Sequence, residues 1–238
     1  MRTGRPRKYG QAICPECGSD WVIKNGRQRG KQAYMCKRCG RQFLPEARKH
    51  KHPKTKVKQA LKLYTEGMSI SAISRILRVP LSTVYSWIKK WGRKAYTKVK
   101  EVWEVLRGKH ADVVDIDEMW TYVRRRLKDC WLWIWTAVVD GKDLVFNVGG
   151  RGSEDFVELF SRLPNASVYC TDGYAVYGVL PRGKHLISGR VNVNESRHSV
   201  LRDCLARLRR CTKAYTKSVE LLKYSLALVT LHKGATLP

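Results

Sequence analysis

Two sets of side chains in this sequence could do chemistry. The first is sulfur: Cys14-x-x-Cys17 and Cys36-x-x-Cys39, 18 residues apart, each pair followed directly by a glycine, Gly18 and Gly40. Four thiolates at that spacing close a tetrahedron around Zn²⁺, and with no position left open such a site is structural. The second set is oxygen: Asp117, Asp172 and Glu195, on three well-separated segments. Hard cations such as Mg²⁺ or Mn²⁺ take carboxylate oxygens, and a metal pair suits phosphodiester chemistry by activating the attacking oxygen and stabilising the leaving one. Asp115 and Glu118 compete for the first of these positions. Alternation along a strand gives Asp115 the face of Asp117 and turns Glu118 away.

The chain's charge says what such a centre would act on. The net charge is +27, and residues 1–110 hold 28 Lys/Arg against 6 Asp/Glu, whereas residues 111–238 hold 19 against 14. A basic front half on a nearly balanced rear half predicts a polyanion-binding arm joined to a domain with another task. With 43% hydrophobic residues and eight Trp, the chain can bury a core. No run of about 18 apolar residues predicts a membrane span, and the N-terminus has no apolar signal core. Knuckled and scattered cysteines fit a reducing compartment, so the expected location is the cytoplasm, associated with the nucleoid.

Four segments must position these groups. Residues 1–10 read as a basic disordered arm whose Gly4-Arg5-Pro6-Arg7 is similar to an AT-hook, with Arg5 and Arg7 facing DNA. Residues 11–46 read as a zinc ribbon, with strands near Val22-Ile23 and Tyr34-Met35 and a basic surface of Arg27, Arg29, Lys31, Lys37, Arg38 and Arg41. So short a chain needs the metal to fold. Residues 54–94 read as an all-α helix-turn-helix: Val57, Ala60, Leu61 and Tyr64 stop at Gly67, Ser69 caps a second helix, and Val79-Pro80 precedes a third capped by Ser82 or Thr83. On that third helix Ser82, Thr83, Tyr85, Ser86, Lys89 and Lys90 are the candidates for base edges and phosphates.

Residues 108–238 read as an α/β domain. The run "ADVVDIDEMWTYVRR", "CWLWIWTAVVD" and "LVFNVGG" predicts three antiparallel strands, with a tight turn at Asp140-Gly141 and Trp131, Trp133 and Trp135 in the core. A helix capped at Ser153, strands "SVYCTDGY" and "HLISG", and a helix "NESRHSVLRDCLARLRR" follow. The order βββαβ and a late helix is that of a ribonuclease H-like core, where acids of the first strand, the fourth strand and the late helix converge. Asp117, Asp172 and Glu195 stand at those places, and helical spacing brings His198, Ser199, Arg202 and Arg209 to the Glu195 side, with Arg202 a further DNA contact.

The blocks "DIDEMW", "YCTDGYAVY", "NESRHSVLRDCLARL" and "TKSVELL" resemble the catalytic half of insertion sequence 1 family transposases of the DDE group, and the ribbon and helix-turn-helix resemble that family's DNA-binding half. The resemblance spans about residues 12–232. It implies Asp117, Asp172 and Glu195 as the catalytic triad, binding of terminal inverted repeats, Mg²⁺-dependent release of 3′-OH ends and their transfer into target DNA. Synapsis of two ends implies at least a homodimer. Both halves stand here in one uninterrupted frame, and a shifted Ser after Glu195 leaves the role of His198 open. Two alternatives remain: a DNA-binding regulator without catalysis, and a ribonuclease H-like nuclease that cleaves without joining.

Overall fold

The structure is a computed structural model. It describes residues 12–28, 30–44, 52–123, 131–187, 192–209 and 212–233. The arm with Arg5 and Arg7, and Arg29 of the ribbon, lie outside the described residues. The chain forms two units, Met1–His52 and Pro53–Pro238.

In the first unit β1 (Val22–Gln28), β2 (Lys31–Cys36) and β3 (Gln42–Phe43) form an antiparallel sheet in the order β1-β2-β3. Among the described residues its core cluster is Ala12, Cys14, Val22 and Cys36, with Cys17, Tyr34 and Phe43 packed against them. Each knuckle closes the same way: the Gly18 amide donates to the Cys14 carbonyl at 3.0 Å, and the Gly40 amide to the Cys36 carbonyl at 2.9 Å. Both glycines take φ near +70°, a left-handed turn that a side chain would oppose.

The second unit begins with α1 (Lys54–Thr65), α2 (Ile70–Leu77) and α3 (Leu81–Arg107). Ser69 caps α2 as expected, its hydroxyl accepting from the Ala72 amide at 3.2 Å. The cap of α3 is neither Ser82 nor Thr83: the helix starts at Leu81, two residues earlier than a Ser82 cap gives, behind Pro80, whose carbonyl takes the Thr83 amide. Proline's fixed φ suits the helix entry, so no hydroxyl cap is needed. The helix also does not stop near residue 94. It runs 27 residues, about 40 Å at 1.5 Å per residue. Buried Val84, Ile88, Gly92, Ala95, Val99 and Trp103 form one stripe along it. The early part of the stripe packs on α1 and α2; the later part meets α6 (Val219–Lys233) and the sheet, where Trp103 stacks edge-on against Phe146 at 4.9 Å. One hydrophobic core therefore runs from the first three helices into the sheet.

Gly92 is where α3 approaches α6 most closely, since a Cβ there would lie 2.7 Å from Tyr224 Cβ and 3.2 Å from the Tyr224 carbonyl oxygen. Gly92→Ala should therefore destabilise the unit by about 1–2 kcal/mol, overpacking exceeding the gain in helix propensity of up to ~1 kcal/mol. Urea denaturation measures this; a stabilised variant would show that the helices separate freely.

The sheet holds β4 (His110–Tyr122), β5 (Trp131–Val139), β6 (Asp143–Gly149), β7 (Asn165–Thr171) and β8 (His185–Ile187) in the order β6-β5-β4-β7-β8. The first three strands are antiparallel, and β7 and β8 are added in parallel. Asp140 and Gly141, both at positive φ, make the tight β5–β6 turn. Helix α4 (Ser153–Phe160) links β6 to β7, with Gly152 rather than Ser153 in the cap position. Helix α5 (Asn192–Cys204) ends earlier than the periodicity predicts. Leu205 and Leu208 are buried as expected, but from the turn that follows, and Arg209 lies beyond the helix. Of the three strand tryptophans only Trp135 is fully buried; Trp131 is 42% exposed and pairs with Trp120 at 5.7 Å.

Candidate active site

The site lies where neighbouring strands part. β4 and β7 run parallel from His110↔Asn165 only as far as Asp115↔Cys170. Beyond that pair β4 continues alone on this side, while the β7 chain turns away after Thr171 through Gly173, at φ +88°. This places the site beside the carboxyl end of β7, where β4 runs on past it, and the carboxyl ends of parallel strands are where such sheets bind ligands. Asp117 projects from β4 there, and Asp172 stands just past the end of β7, its Oδ1 accepting the Tyr174 amide at 3.0 Å.

Oxygens of Asp117, Glu118 and Asp172 all lie within 4.8 Å of one another. Glu118, which strand alternation turned away, is thus in the group, and Asp115 is not. Asp115 lies further back along the strand, where β4 still pairs with β7 at Cys170. Glu118 can swing toward the site because β7 has ended, and it is held there. Arg151 donates to its Oε1 from Nη2 at 2.8 Å and from Nε at 3.1 Å, and the Tyr177 hydroxyl donates to Oε2 at 2.6 Å. Arg151 lies in turn over the rings of Trp133 and Tyr174, at 4.2 and 4.3 Å. No sequence pattern linked these four residues to Glu118. They come together only through tertiary packing, although Tyr174 and Tyr177 do fall within the "YCTDGYAVY" block.

Burial pushes the Asp117 carboxyl up to about 6; the Glu118 amide, donating to Oδ1 at 2.7 Å, opposes this, and the charges of Glu118, Asp172 and Glu195 add to it. Glu195, in the first turn of α5, thus acts on Asp117 electrostatically but is outside the tight group. Arg151 neutralises one of these four carboxylates, Glu118, and the remaining negative charge fits a divalent ion with oxygen ligands. On the other side of Asp117, Oδ2 lies 3.6 Å from His198 Nδ1. Thr136 Oγ1 is 2.7 Å from His198 Nε2 and 3.1 Å from both Asn194 Oδ1 and the Asp117 carbonyl. Burial, with the Arg202 charge adding, lowers the His198 imidazole to about 4, so at neutral pH it is an uncharged brace.

A prediction on pH follows. Below about pH 6 a cation must displace the Asp117 proton, and above it none is there to displace. Apparent Mg²⁺ affinity, read by calorimetry, should fall about tenfold per pH unit below 6 and level off above it. A profile flat from pH 5 to 7 would detach Asp117 from metal binding.

The other nominated residues are more dispersed. On α3, Ser82, Tyr85, Ser86 and Lys90 are exposed, and Thr83 is half-buried. Lys89 is exposed but held by Glu220 of α6 at 3.0 Å. Arg202 is half-buried on α5, close enough to influence His198. In the first unit Arg27 is exposed at the end of β1, and Arg41 is paired with Glu16. The sulfurs of Cys14, Cys17, Cys36 and Cys39 lie within 4.8 Å of one another. Burial opposes ionisation of Cys36, yet the Cys39 and Arg38 amides and the neighbouring thiols bring it down to about 6. The Arg41 amide favours ionisation of Cys39, but burial and the other three sulfurs push it up to about 12. A cluster that resists giving up its last proton fits a soft divalent ion that would replace it.

Comparison with known proteins agrees with this geometry. Residues 54–95 match the model of a homeodomain-like domain. The insertion element iso-IS1n protein InsB of Shigella dysenteriae is 30% identical over 114 residues, covering 46% of this chain and 86% of that protein. The insertion element IS1 protein InsB of Shigella sonnei is 32% identical over 111 residues, 45% and 85% of the two chains. Among solved structures, a pre-cleavage Mos1 transpososome covers 80% of each chain at 10% identity, but its TM-score of 0.25 is too low to bear on this fold. The model of the IS1 transposase matches residues 111–230, from the start of β4 into α6 and so across every element that carries one of the acids. By that match the chain belongs to the IS1 transposase family.

Proposed function

We propose that this transposase binds the terminal inverted repeats of its element and, with Mg²⁺ or Mn²⁺, cleaves the DNA strand and joins the freed 3′-OH to target DNA. The convergence of Asp117, Glu118 and Asp172 at the parted strand ends of a domain of this family carries the reading. We also read the sheet, three antiparallel strands with two parallel ones beside the first, as ribonuclease H-like. In the same reading residues 11–46 are a zinc ribbon, 54–94 the DNA-reading helices and 108–238 the catalytic part.

Bound divalent ions would supply Lewis acidity for the attacking and leaving oxygens. The chain does the rest. Asp117 offers oxygens from the middle of β4 and Asp172 from just past the end of β7, and Glu195 adds negative charge from α5. Arg151 and Tyr177 fix Glu118, so that the acid group keeps its shape as DNA enters. His198, neutral and bonded to Thr136, holds Asp117 on its other side without contributing a competing positive charge. Water first attacks the terminal phosphodiester and expels one strand; the 3′-OH then attacks a target phosphate in line. Ser82, Thr83, Tyr85, Ser86 and Lys90 read or hold the end, with Lys89 available once released from Glu220.

The test incubates the full chain with a labelled duplex from the element's end and a target plasmid, in Mg²⁺ or in EDTA. Joined products that require Mg²⁺ are expected. Cleavage without joining would indicate a nuclease, and binding without either a regulator.

A further inference from the structure

A cavity of about 210 Å³ lies between the first three helices and the segment joining α5 to α6. Its wall mixes apolar residues, Ile70, Leu81 and Leu221 among them, with charged residues of a single sign. Arg207, Lys213 and Lys217 line it together with the hydroxyl-bearing Ser69, Ser71 and Tyr85, and no lining residue is acidic.

Arg207 makes this more than a basic surface. It is 8% exposed, and its Nε is buried without a hydrogen-bond partner. Its guanidinium lies 5.7 Å from the centre of the Tyr64 ring, and among the described residues no carboxylate pairs with it. A guanidinium keeps its charge, so burying one with a vacant donor is costly unless an anion completes the site. Helix α2 starts at the same cavity, since Ile70 and Ser71 line it, and no acid occupies its first turn. The Ser69 hydroxyl takes the Ala72 amide, and the positive end of the helix dipole lies at this wall.

We infer that this cavity is a phosphate site that receives one backbone phosphate of the DNA end beside the reading helix α3, with Arg207 as its buried anchor and Lys213 and Lys217 at its rim. The inference rests on the DNA-end reading above. It also gives the site a mechanical consequence. Arg207 follows three residues after the end of α5, the helix that carries Glu195 and His198, so a phosphate gripped there ties the bound end to the helix behind the carboxylates.

The test uses the full chain and the labelled end duplex across a salt series, with inorganic phosphate as a second probe. Arg207→Gln should lower the slope of log affinity against log salt by about one, the loss of one phosphate contact. Lys213→Gln with Lys217→Gln should do the same, and the triple variant should again lose about one rather than two, because one phosphate is shared. Inorganic phosphate should raise the melting temperature of the wild type more than that of either variant. Should Arg207→Gln fail to fold, the lysine pair and the phosphate-dependent melting still decide the matter. Unchanged slopes, or additive losses from separate surface contacts, overturn the proposal. Unchanged slopes with phosphate protection lost would assign the cavity to a free phosphate compound and overturn its role with DNA. The readout is binding, so failure of Mg²⁺-dependent joining would sink the transposase reading while leaving this result standing.

Discussion

Asp172→Asn is expected to reduce cleavage and joining by about three orders of magnitude or more, because charge stabilisation worth several kcal/mol is lost at about 1.4 kcal/mol per decade. The substitution suits the purpose. Asp172 is exposed, and its one hydrogen bond accepts the Tyr174 amide, which the Asn carbonyl oxygen can also accept. The turn and the fold should therefore survive, and affinity for the DNA end should stay within about twofold, since the helices proposed to read it are untouched. Glu118→Gln is the informative companion. It leaves Arg151 without its charged partner, so its defect should be smaller and accompanied by local disorder around Tyr174 and Tyr177. Gel assays of binding and cleavage on the same preparations separate these outcomes. Cleavage by Asp172→Asn at the wild-type rate would remove the aspartate from the centre.

The second large effect concerns the ribbon. Cys36 is fully buried and serves both as a proposed ligand and as a member of the small core cluster found among the described residues. A structural zinc in a unit this small contributes about 10 kcal/mol or more of apparent folding free energy, far above what so few buried side chains supply. Cys36→Ser, or a strong chelator acting on the wild type, should therefore unfold residues 12–44 outright. Pro53–Pro238, a separate unit with its own core, should keep its melting transition. Amide dispersion in NMR spectra or limited proteolysis reads both effects at once. A ribbon that stays protected in excess chelator would mean that its strands hold without metal.

How far the sequence could be read depends on whether the signal is local. The knuckles, the Ser69 cap and the Asp140-Gly141 turn are set by neighbours within a few residues, and they appear where expected. Hydroxyl residues at 82 and 83 suggest a cap for α3, whereas Pro80 starts the helix without one. The join between helices and sheet was hidden because the apolar stripe of α3 changes partners partway along without changing its period. Alternation excluded Glu118, a rule that holds inside a sheet but not where the adjacent strand has stopped. Asp117 and Asp172 were legible because their places follow from element order. The clamp on Glu118, the Thr136–His198 brace and the Arg207 cavity were not, since each joins residues from elements far apart in the chain.

The central claim is that acids from separate elements form one divalent-cation centre. The most direct measurement is a Mn²⁺ titration of the full chain followed by electron paramagnetic resonance, comparing the wild type with Asp117→Asn and Asp172→Asn. Thiolates compete poorly for Mn²⁺, so the ribbon should add little to the signal. The account predicts Mn²⁺ binding in the wild type that weakens by about tenfold or more in each variant. Equal binding by all three proteins would contradict it.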